Sequence, residues 1–155
     1  MHSTRVTVGV DLDENEVSIA KQRNQPKMGD YLERRATPFE VQLYCGDVTQ
    51  FDSRVSGCDC VTLVEVIEHL QDNELEALPL NVFGRINSKH VVVTTPNSEF
   101  NVVFPNFSGF RHDDHKFEWT RDEFQAWYFS NSIISCTIFM SVTSMFEYYL
   151  KCPSF

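Results

Sequence analysis

The sequence lacks several features that would assign it to a class at once. There is no C-x-x-C pair, which argues against a zinc-ribbon site. The N-terminus, M-H-S-T-R-V, has no apolar signal-peptide core, and no internal repeat or low-complexity tract is present. Buried reduced thiols, a reducing compartment and a cytoplasmic location are the default expectation for the five cysteines, Cys45, Cys58, Cys60, Cys136 and Cys152.

Basic residues are also scarce. The chain has 13 Lys and Arg against 22 Asp and Glu, a formal net charge of −9, so it offers no broad basic surface for long nucleic acids. A protein that binds only the end of a nucleic-acid strand, through a metal ion, would not need a basic surface. The 155 residues, 42% of them apolar, are enough for one domain with its own core.

The C-terminal segment 132–150 is the only stretch that needs a membrane check. It is apolar and aromatic, but it contains six Ser or Thr residues and Glu147. A spanning helix needs about 20 predominantly apolar residues. We therefore expect no membrane association, and predict for this segment a buried strand or helix, or a tail without its native partner.

Short β-branched runs alternate with helix-prone segments along the chain. Strands are predicted at 6–10, 41–45, 60–66 and 90–95, and helices at 15–23 and 73–83, the latter closed by Gly84. Segment 25–38 is a connection with at most one helical turn. This alternation is typical of a parallel, doubly wound α/β sheet. The strand ends would meet at one edge, the candidate site, marked by Asp11, Asp47, Glu65 and Thr95.

Two further segments shape the expected site. Pro96 to Lys116 is a long polar and aromatic loop, and loops of this length in compact domains are usually functional or disordered. Thr120 and Glu123 form a capping box for a following helix that carries Phe124, Trp127 and Tyr128 on its apolar face.

Asp11 has two interpretations. An acidic residue at the end of a strand that leads into a helix accepts hydrogen bonds from ribose hydroxyls in βαβ nucleotide units. Aspartate is also a common helix N-cap, which would give Asp11 a purely structural role.

The stretch C-D-C-V-T-L-V-E-V-I-E-H-L places three metal-competent side chains at the end of a predicted strand. Glu65, Glu68 and His69 would converge on one side if the chain turned helical directly after the strand. His112 or His115, from the long loop, could complete a set of two carboxylates and two imidazoles that suits Mn²⁺, Co²⁺, Fe²⁺ or Zn²⁺ better than Mg²⁺. The alternatives are a solvated helix start for Glu68 and His69, and capping or surface roles for the loop histidines.

Three motifs resemble one family. E-V-I-E-H-L, T-T-P-N-S-E-F-N and R-H-D-D-H-K-F-E-W-T-R-D-E-F are similar to motifs of the small-RNA 3′-terminal 2′-O-methyltransferases, which act on piRNAs in animals and small-RNA duplexes in plants. The resemblance spans about Val6 to Trp127. It implies a Rossmann-like S-adenosylmethionine-dependent methyltransferase fold and methyl transfer to the 2′-OH of the 3′-terminal nucleotide. Argonaute or Piwi-type proteins would be the partners that present the RNA.

The resemblance also implies residue roles. It assigns Glu65, Glu68, His69 and His115 as ligands of one divalent ion, Mg²⁺ by family and Mn²⁺ or Co²⁺ by donor type, and leaves His112 outside the set. Either of the two ligand histidines could assist proton removal from the 2′-OH. The cofactor acid corresponds to Asp11, and the adenine-side position to Asp47.

The chain departs from the family pattern at both ends. The resemblance begins at the family's second strand, so the first strand and its Gly-rich cofactor loop are expected to be missing and the fold incomplete at the N-terminus. Residues 1–129 would form a partial methyltransferase domain and 130–155 a divergent tail. A non-catalytic, metal-dependent binder of RNA 3′ ends is therefore the alternative function, with a metal hydrolase as a more distant one.

The long loop carries four aromatic residues, Phe100, Phe104, Phe107 and Phe110. Some of them could stack on the terminal bases of a bound RNA. Packing of the loop against the core is the alternative.

Overall fold

The computed structural model describes residues 5–32, 37–105 and 107–131, together with the backbone of 137–142 and 146–149. The chain divides into two compact units, Met1–Gln50 and Phe51–Phe155. The boundary predicted between residues 129 and 130 separates the part that resembles the family from the tail, not two compact units. It stays a prediction.

The first unit is one parallel strand pair with a crossover between its strands. The elements are strand β1 (Val6–Asp11), helix α1 (Glu14–Arg23), the short helix α2 (Met28–Leu32) and strand β2 (Glu40–Cys45). β1 pairs with β2 in parallel, from Val6 opposite Glu40 to Asp11 opposite Cys45. The predicted strands, helix and single helical turn are all confirmed.

The second unit contains a four-stranded sheet in the order β3-β4-β5-β6. β3, β4 and β5 are parallel to one another, and β6 is antiparallel to β5. The predicted parallel arrangement is therefore confirmed for β3 and β4 and extends to β5. The elements are β3 (Cys60–Val64), α3 (Asp72–Pro79), β4 (His90–Thr95), α4 (Arg121–Asn131), β5 (Thr137–Val142) and β6 (Phe146–Tyr149).

The apolar core of the described residues lies mainly in the second unit. Its members come from β3 and the turn after it, from α3 and the helical stretch Leu80–Ile86 that follows it, from β4 and from α4. They are Leu63, Ile67, Leu75, Leu78, Val82, Phe83, Ile86, Val91, Val93, Phe124 and Tyr128. Among the residues of the first unit that the structure describes, Val17 is the one buried apolar residue. The β3–β4 half is thus the well-packed support for the residues that follow its strands.

Helix α3 continues further than predicted. After Pro79 the chain widens into a π-helical stretch, Leu80–Ile86, that ends at Asn87 in the left-handed conformation (φ 55°). The expectation that Gly84 closes the helix is wrong, because Gly84 lies inside this stretch. Asparagine is one of the few residues other than glycine that adopts a left-handed backbone readily, so Asn87 supplies the cap.

Helix α4 begins as the capping box predicts. The backbone N–H of Thr120 donates to Glu123 Oε2 at 2.8 Å, and the backbone N–H of Glu123 donates to Thr120 Oγ1 at 3.3 Å. Phe124 and Tyr128 are buried, which confirms the apolar face of the helix.

The prediction of buried thiols is wrong for two cysteines. Cys45 and Cys60 are exposed and Cys58 is half-buried, with no disulfide among these three; Cys136 and Cys152 lie outside the described residues. β5 and β6 show that part of the segment 132–150 is strand, while its predicted burial falls outside the described side chains. No described helix is long and apolar enough to cross a membrane.

Candidate functional site

Strand β3 ends in a left-handed residue rather than running into an α-helix. Glu65 has φ 53°, and its N–H donates to the carbonyl oxygen of Thr94 at 3.1 Å. The Thr94 hydroxyl donates in turn to Glu65 Oε1 at 2.8 Å. A single 3₁₀ turn, Ile67–His69, then follows. The helical convergence of Glu65 with the residues after it is therefore not the geometry observed, because Glu65 is held at the end of β4.

Glu68 is a fully buried carboxylate. Its exposed fraction is 0%, and neither of its oxygens has a partner at hydrogen-bonding geometry. Burial raises the pKa of Glu68, and the nearby negative charge of Glu65 adds to the effect. The residue's own backbone N–H, the Thr95 hydroxyl and the charge of His69 only partly offset it. Burying a charge without a partner is costly, so such groups in native proteins are usually paired or bound to a metal. Glu68 therefore does not begin a solvated helix.

His115 reaches Glu68 because the long loop folds back over the end of β3. The backbone N–H of Lys116 donates to the carbonyl oxygen of Glu68 at 2.7 Å, and the N–H of Ser98 donates to the carbonyl oxygen of Trp119 at 3.0 Å. These bonds fix the loop near Ser98 at its start and near Lys116 and Trp119 at its end. The ring of His115 lies edge-on to that of His69, with centroids 4.9 Å apart.

Three of the predicted ligands come together. One ligand atom each from Glu68, His69 and His115 lie within 4.8 Å of one another, and this is the group that the described residues form. Small side-chain adjustments would bring them to a divalent ion, whose bonds to such ligands are about 2.0–2.2 Å long. The residues fit a metal ion, because the orphaned buried carboxylate and two imidazoles are donors for Mn²⁺, Co²⁺, Fe²⁺ or Zn²⁺. Glu65 is outside the group.

His112 does not belong to this group. It contacts Asp114, whose other oxygen lies 3.0 Å from Nδ1 of His69, although the latter contact is outside hydrogen-bonding geometry. Partial burial works in the opposite direction, but the hydrogen bond from His112 and the charge of His69 hold the pKa of Asp114 below its ordinary value. Asp114 thus lies between the two histidines at the exposed side of the site.

Sequence reasoning did not single out the carboxylate behind His115. Glu118 is buried, and its Oε1 accepts a hydrogen bond from His115 Nδ1 at 2.7 Å. Burial alone would raise the pKa of Glu118, but hydrogen bonds from Asn101, Arg111 and His115 outweigh it and hold the pKa below its ordinary value. The only signal in the sequence was its position within F-E-W, three residues after His115.

The two predicted cofactor acids follow neighbouring parallel strands. Asp11 ends β1 opposite Cys45 of β2, and Asp47 comes two residues later. Asp11 is not the N-cap of α1, because Asp13 holds that position and accepts from the N–H of Asn15 at 2.7 Å. Asp11 is therefore not the N-cap, but its Oδ1 accepts from the backbone N–H of Asp13 at 2.8 Å, so this exposed carboxylate at the strand end also has a local structural role.

The aromatic residues of the loop are only partly packed. Phe104 and Phe110 are 47% and 48% exposed, while Phe100 and Phe107 are half-buried. The guanidinium carbon of Arg111 lies 5.6 Å from the centroid of the Phe104 ring. Core packing thus accounts for part of this set and leaves two rings half-open to solvent.

Known proteins that are similar to this chain are methyltransferases. The family model described as a methyltransferase domain matches residues 2–78. The chain is 47% identical to the small RNA 2′-O-methyltransferase of Xenopus tropicalis over 123 residues, which cover 79% of this chain and 33% of the relative. It is 42% identical to that of Drosophila melanogaster, with 76% of this chain and 32% of the relative covered.

The chain belongs to the small-RNA 2′-O-methyltransferase family. Among solved structures it is similar to the methyltransferase domain of bacterial CtHen1-CN, with a TM-score of 0.62, 32% identity, and 81% of this chain and 62% of that chain covered. It is also similar to the small RNA methyltransferase HEN1, with a TM-score of 0.67, 32% identity, and 81% and 16% covered. The family's Rossmann-like methyltransferase fold is thereby confirmed. The chain spans about a third of the length of the curated relatives that it matches.

Proposed function

We propose that this chain transfers a methyl group from S-adenosylmethionine to the 2′-OH of the 3′-terminal nucleotide of a small RNA, using a divalent ion. The observation that carries this proposal is the buried carboxylate of Glu68, with neither oxygen at hydrogen-bonding geometry, beside the imidazoles of His69 and His115. Family membership supplies the reaction class, and this donor set supplies the means to hold the terminal ribose.

Glu68, His69 and His115 would hold the ion, and Glu65 would be the fourth ligand. Glu65 follows from the family motif, and it would have to leave its hydrogen bond with Thr94 to reach the ion. When bound, a divalent ion orients the ribose hydroxyls and lowers the pKa of the 2′-OH. Nδ1 of His115 is engaged by Glu118, so of the two histidines only His69 could assist proton removal, and only when it is not itself bound to the ion.

Asp11 and Asp47 would hold the cofactor. Both are carboxylates that follow adjacent parallel strands, which is where open α/β sheets bind ligands. Asp11 would accept hydrogen bonds from the ribose hydroxyls, and Asp47 would lie on the adenine side. S-adenosylmethionine would supply the electrophilic methyl group.

The half-exposed rings of Phe104 and Phe110 would contact the terminal bases. Base stacking on aromatic side chains contributes about 1–3 kcal/mol per base and does not require a basic surface. This agrees with a net charge of −9. Argonaute or Piwi-type proteins remain the proposed partners that present the RNA, and the cytoplasm remains the proposed location.

A transfer assay with a matched RNA tests the proposal. The chain would be incubated with methyl-labelled S-adenosylmethionine, Mn²⁺ and a synthetic small RNA that ends in either a ribose or a 2′-deoxyribose. Label in the ribose-ended RNA alone, lost when the metal is chelated, is the expected result. Binding of RNA ends and metal without any transfer would instead support the non-catalytic alternative.

A further inference from the structure

Glu118 is a buried charged group that the proposed reaction does not use. Its side chain is 1% exposed, and it lies outside the group formed by Glu68, His69 and His115. A buried ionised carboxylate is costly unless it is fully hydrogen-bonded. The groups that donate hydrogen bonds to Glu118 therefore indicate its role.

Three donors converge on this carboxylate. Oε1 accepts from the backbone N–H of Arg111 at 2.5 Å and from Nδ1 of His115 at 2.7 Å, and Oε2 accepts from Nδ2 of Asn101 at 2.8 Å. The guanidinium of Arg111 donates to Oδ1 of Asn101 at 2.6 Å and to the carbonyl oxygen of Asn97 at 2.8 Å. The carboxylate thus has a fixed position that does not depend on His115.

This network determines how the His115 ring is presented. An ionised carboxylate only accepts, so Nδ1 of His115 carries the proton and Nε2 keeps the lone pair that a metal needs. A carboxylate that accepts from the second nitrogen of a ligating histidine fixes the ring and makes it a better ligand. His115 itself is 8% exposed, so it has little room to turn.

We propose that Glu118 is the positioning residue for His115, holding its Nε2 toward Glu68 and His69 so that the three bind one divalent cation. This inference rests on the metal centre of the proposed function. It adds a residue that touches neither the cation nor the substrate and acts through His115. Asn101 and Arg111 keep the carboxylate in place.

Two substitutions in the same network separate positioning from packing. Glu118→Met keeps about the same side-chain length and removes both acceptor oxygens, so Nδ1 of His115 loses its partner. Asn101→Ala removes one donor to Glu118 and one acceptor of Arg111, but it leaves the hydrogen bond between Glu118 and His115 in place.

The two readouts are Mn²⁺ affinity, measured by electron paramagnetic resonance of the free ion, and the melting temperature of the metal-free chain. We expect E118M to bind Mn²⁺ about 10–100-fold more weakly than the wild-type chain. N101A should lower the melting temperature while its Mn²⁺ affinity stays close to that of the wild type. If E118M does not fold, Glu118→Ala makes the same test with a smaller side chain.

Three results would overturn the assignment. Unchanged Mn²⁺ affinity in E118M, with the wild-type chain binding normally, would refute the role of Glu118 and leave the metal centre standing. Equal losses of affinity in E118M and N101A would show that Glu118 only completes the packing. Failure of the wild-type chain to bind Mn²⁺ would remove the metal centre and this assignment together.

Discussion

Replacing Glu68 with glutamine should make the metal-free chain more stable. The Glu68 carboxylate is 0% exposed with no partner at hydrogen-bonding geometry, and burial together with Glu65 raises its pKa. Hydrogen bonds to charged groups contribute about 1.5–3 kcal/mol and those between neutral groups about 0.5–1.5 kcal/mol, so an unsatisfied carboxylate costs more than an unsatisfied amide, by roughly 1 kcal/mol. A glutamine keeps unsatisfied polar atoms that cost about 1–3 kcal/mol, so only part of this is recovered. We expect a net gain of about 1 kcal/mol in the free energy of unfolding near pH 7.

The pH dependence of this gain has a definite sign. Below the ordinary value of 4.5 the side chain is protonated in both the folded and the unfolded chain, and the charge contributes nothing. As the pH rises above that value, the unfolded chain ionises while the folded chain keeps its proton, so the folded wild type loses stability. The advantage of E68Q should therefore be absent near pH 4 and grow until the pH passes the raised pKa of Glu68.

Bound metal should make the wild type more stable than E68Q, the reverse of their order without metal. At a free Mn²⁺ concentration of 100 times Kd, binding adds about 2.7 kcal/mol to the wild type, and E68Q should gain far less because a ligand is lost. Urea unfolding in chelator and in Mn²⁺ measures both effects, with the exposed Glu76→Gln on α3 as the matched control. A metal-free E68Q less stable than the wild type would refute the argument that Glu68 is an uncompensated buried charge. An equal gain from Mn²⁺ in both would show that it is not a ligand.

Three further predictions concern separate parts of the chain. His115→Ala should weaken Mn²⁺ binding at least tenfold while His112→Ala changes it little, measured by titration calorimetry, because only His115 lies in the ligand group. Thr120→Ala should lower the free energy of unfolding by about 1 kcal/mol through loss of the α4 N-cap, with Mn²⁺ affinity unchanged. Asn87→Gly should raise it by up to about 1 kcal/mol, because glycine adopts φ 55° without strain; a loss of stability would mean that the Asn87 side chain contributes to the cap.

Local sequence patterns are sufficient to predict most of the strands and helices. Strands β1, β3 and β4 are rich in β-branched residues, whereas β2 has only Val41 among its six, and acids or a proline follow or close these strands. Helix α4 begins at a capping box whose two bonds link residues three apart. Such signals depend on neighbours in the sequence alone.

The departures have tertiary causes. Glu65 adopts a left-handed backbone because two groups of Thr94, on the next strand, accept its N–H, and no local rule predicts that for a glutamate. The role of Glu118 depends on Asn101 and Arg111, which lie 17 and 7 residues before it. Cys45 and Cys60 are exposed although strand cysteines are usually buried. Each case needs the arrangement of the sheet and the loop before it can be deduced.

The uneven distribution of the core has a consequence for where the chain opens first. Within the described part of Met1–Gln50, Val17 is the one buried apolar residue, and the parallel pair β1–β2 is exposed at both of its ends. Amides with few buried contacts exchange with solvent through low-energy local opening. Those of β1 and β2 should therefore exchange faster than those of β3 and β4, and the carboxylates of Asp11 and Asp47 lie on the part that opens most easily. A ligand bound by these carboxylates would slow amide exchange in β1 and β2, while the exchange rates in β3 and β4 would not change.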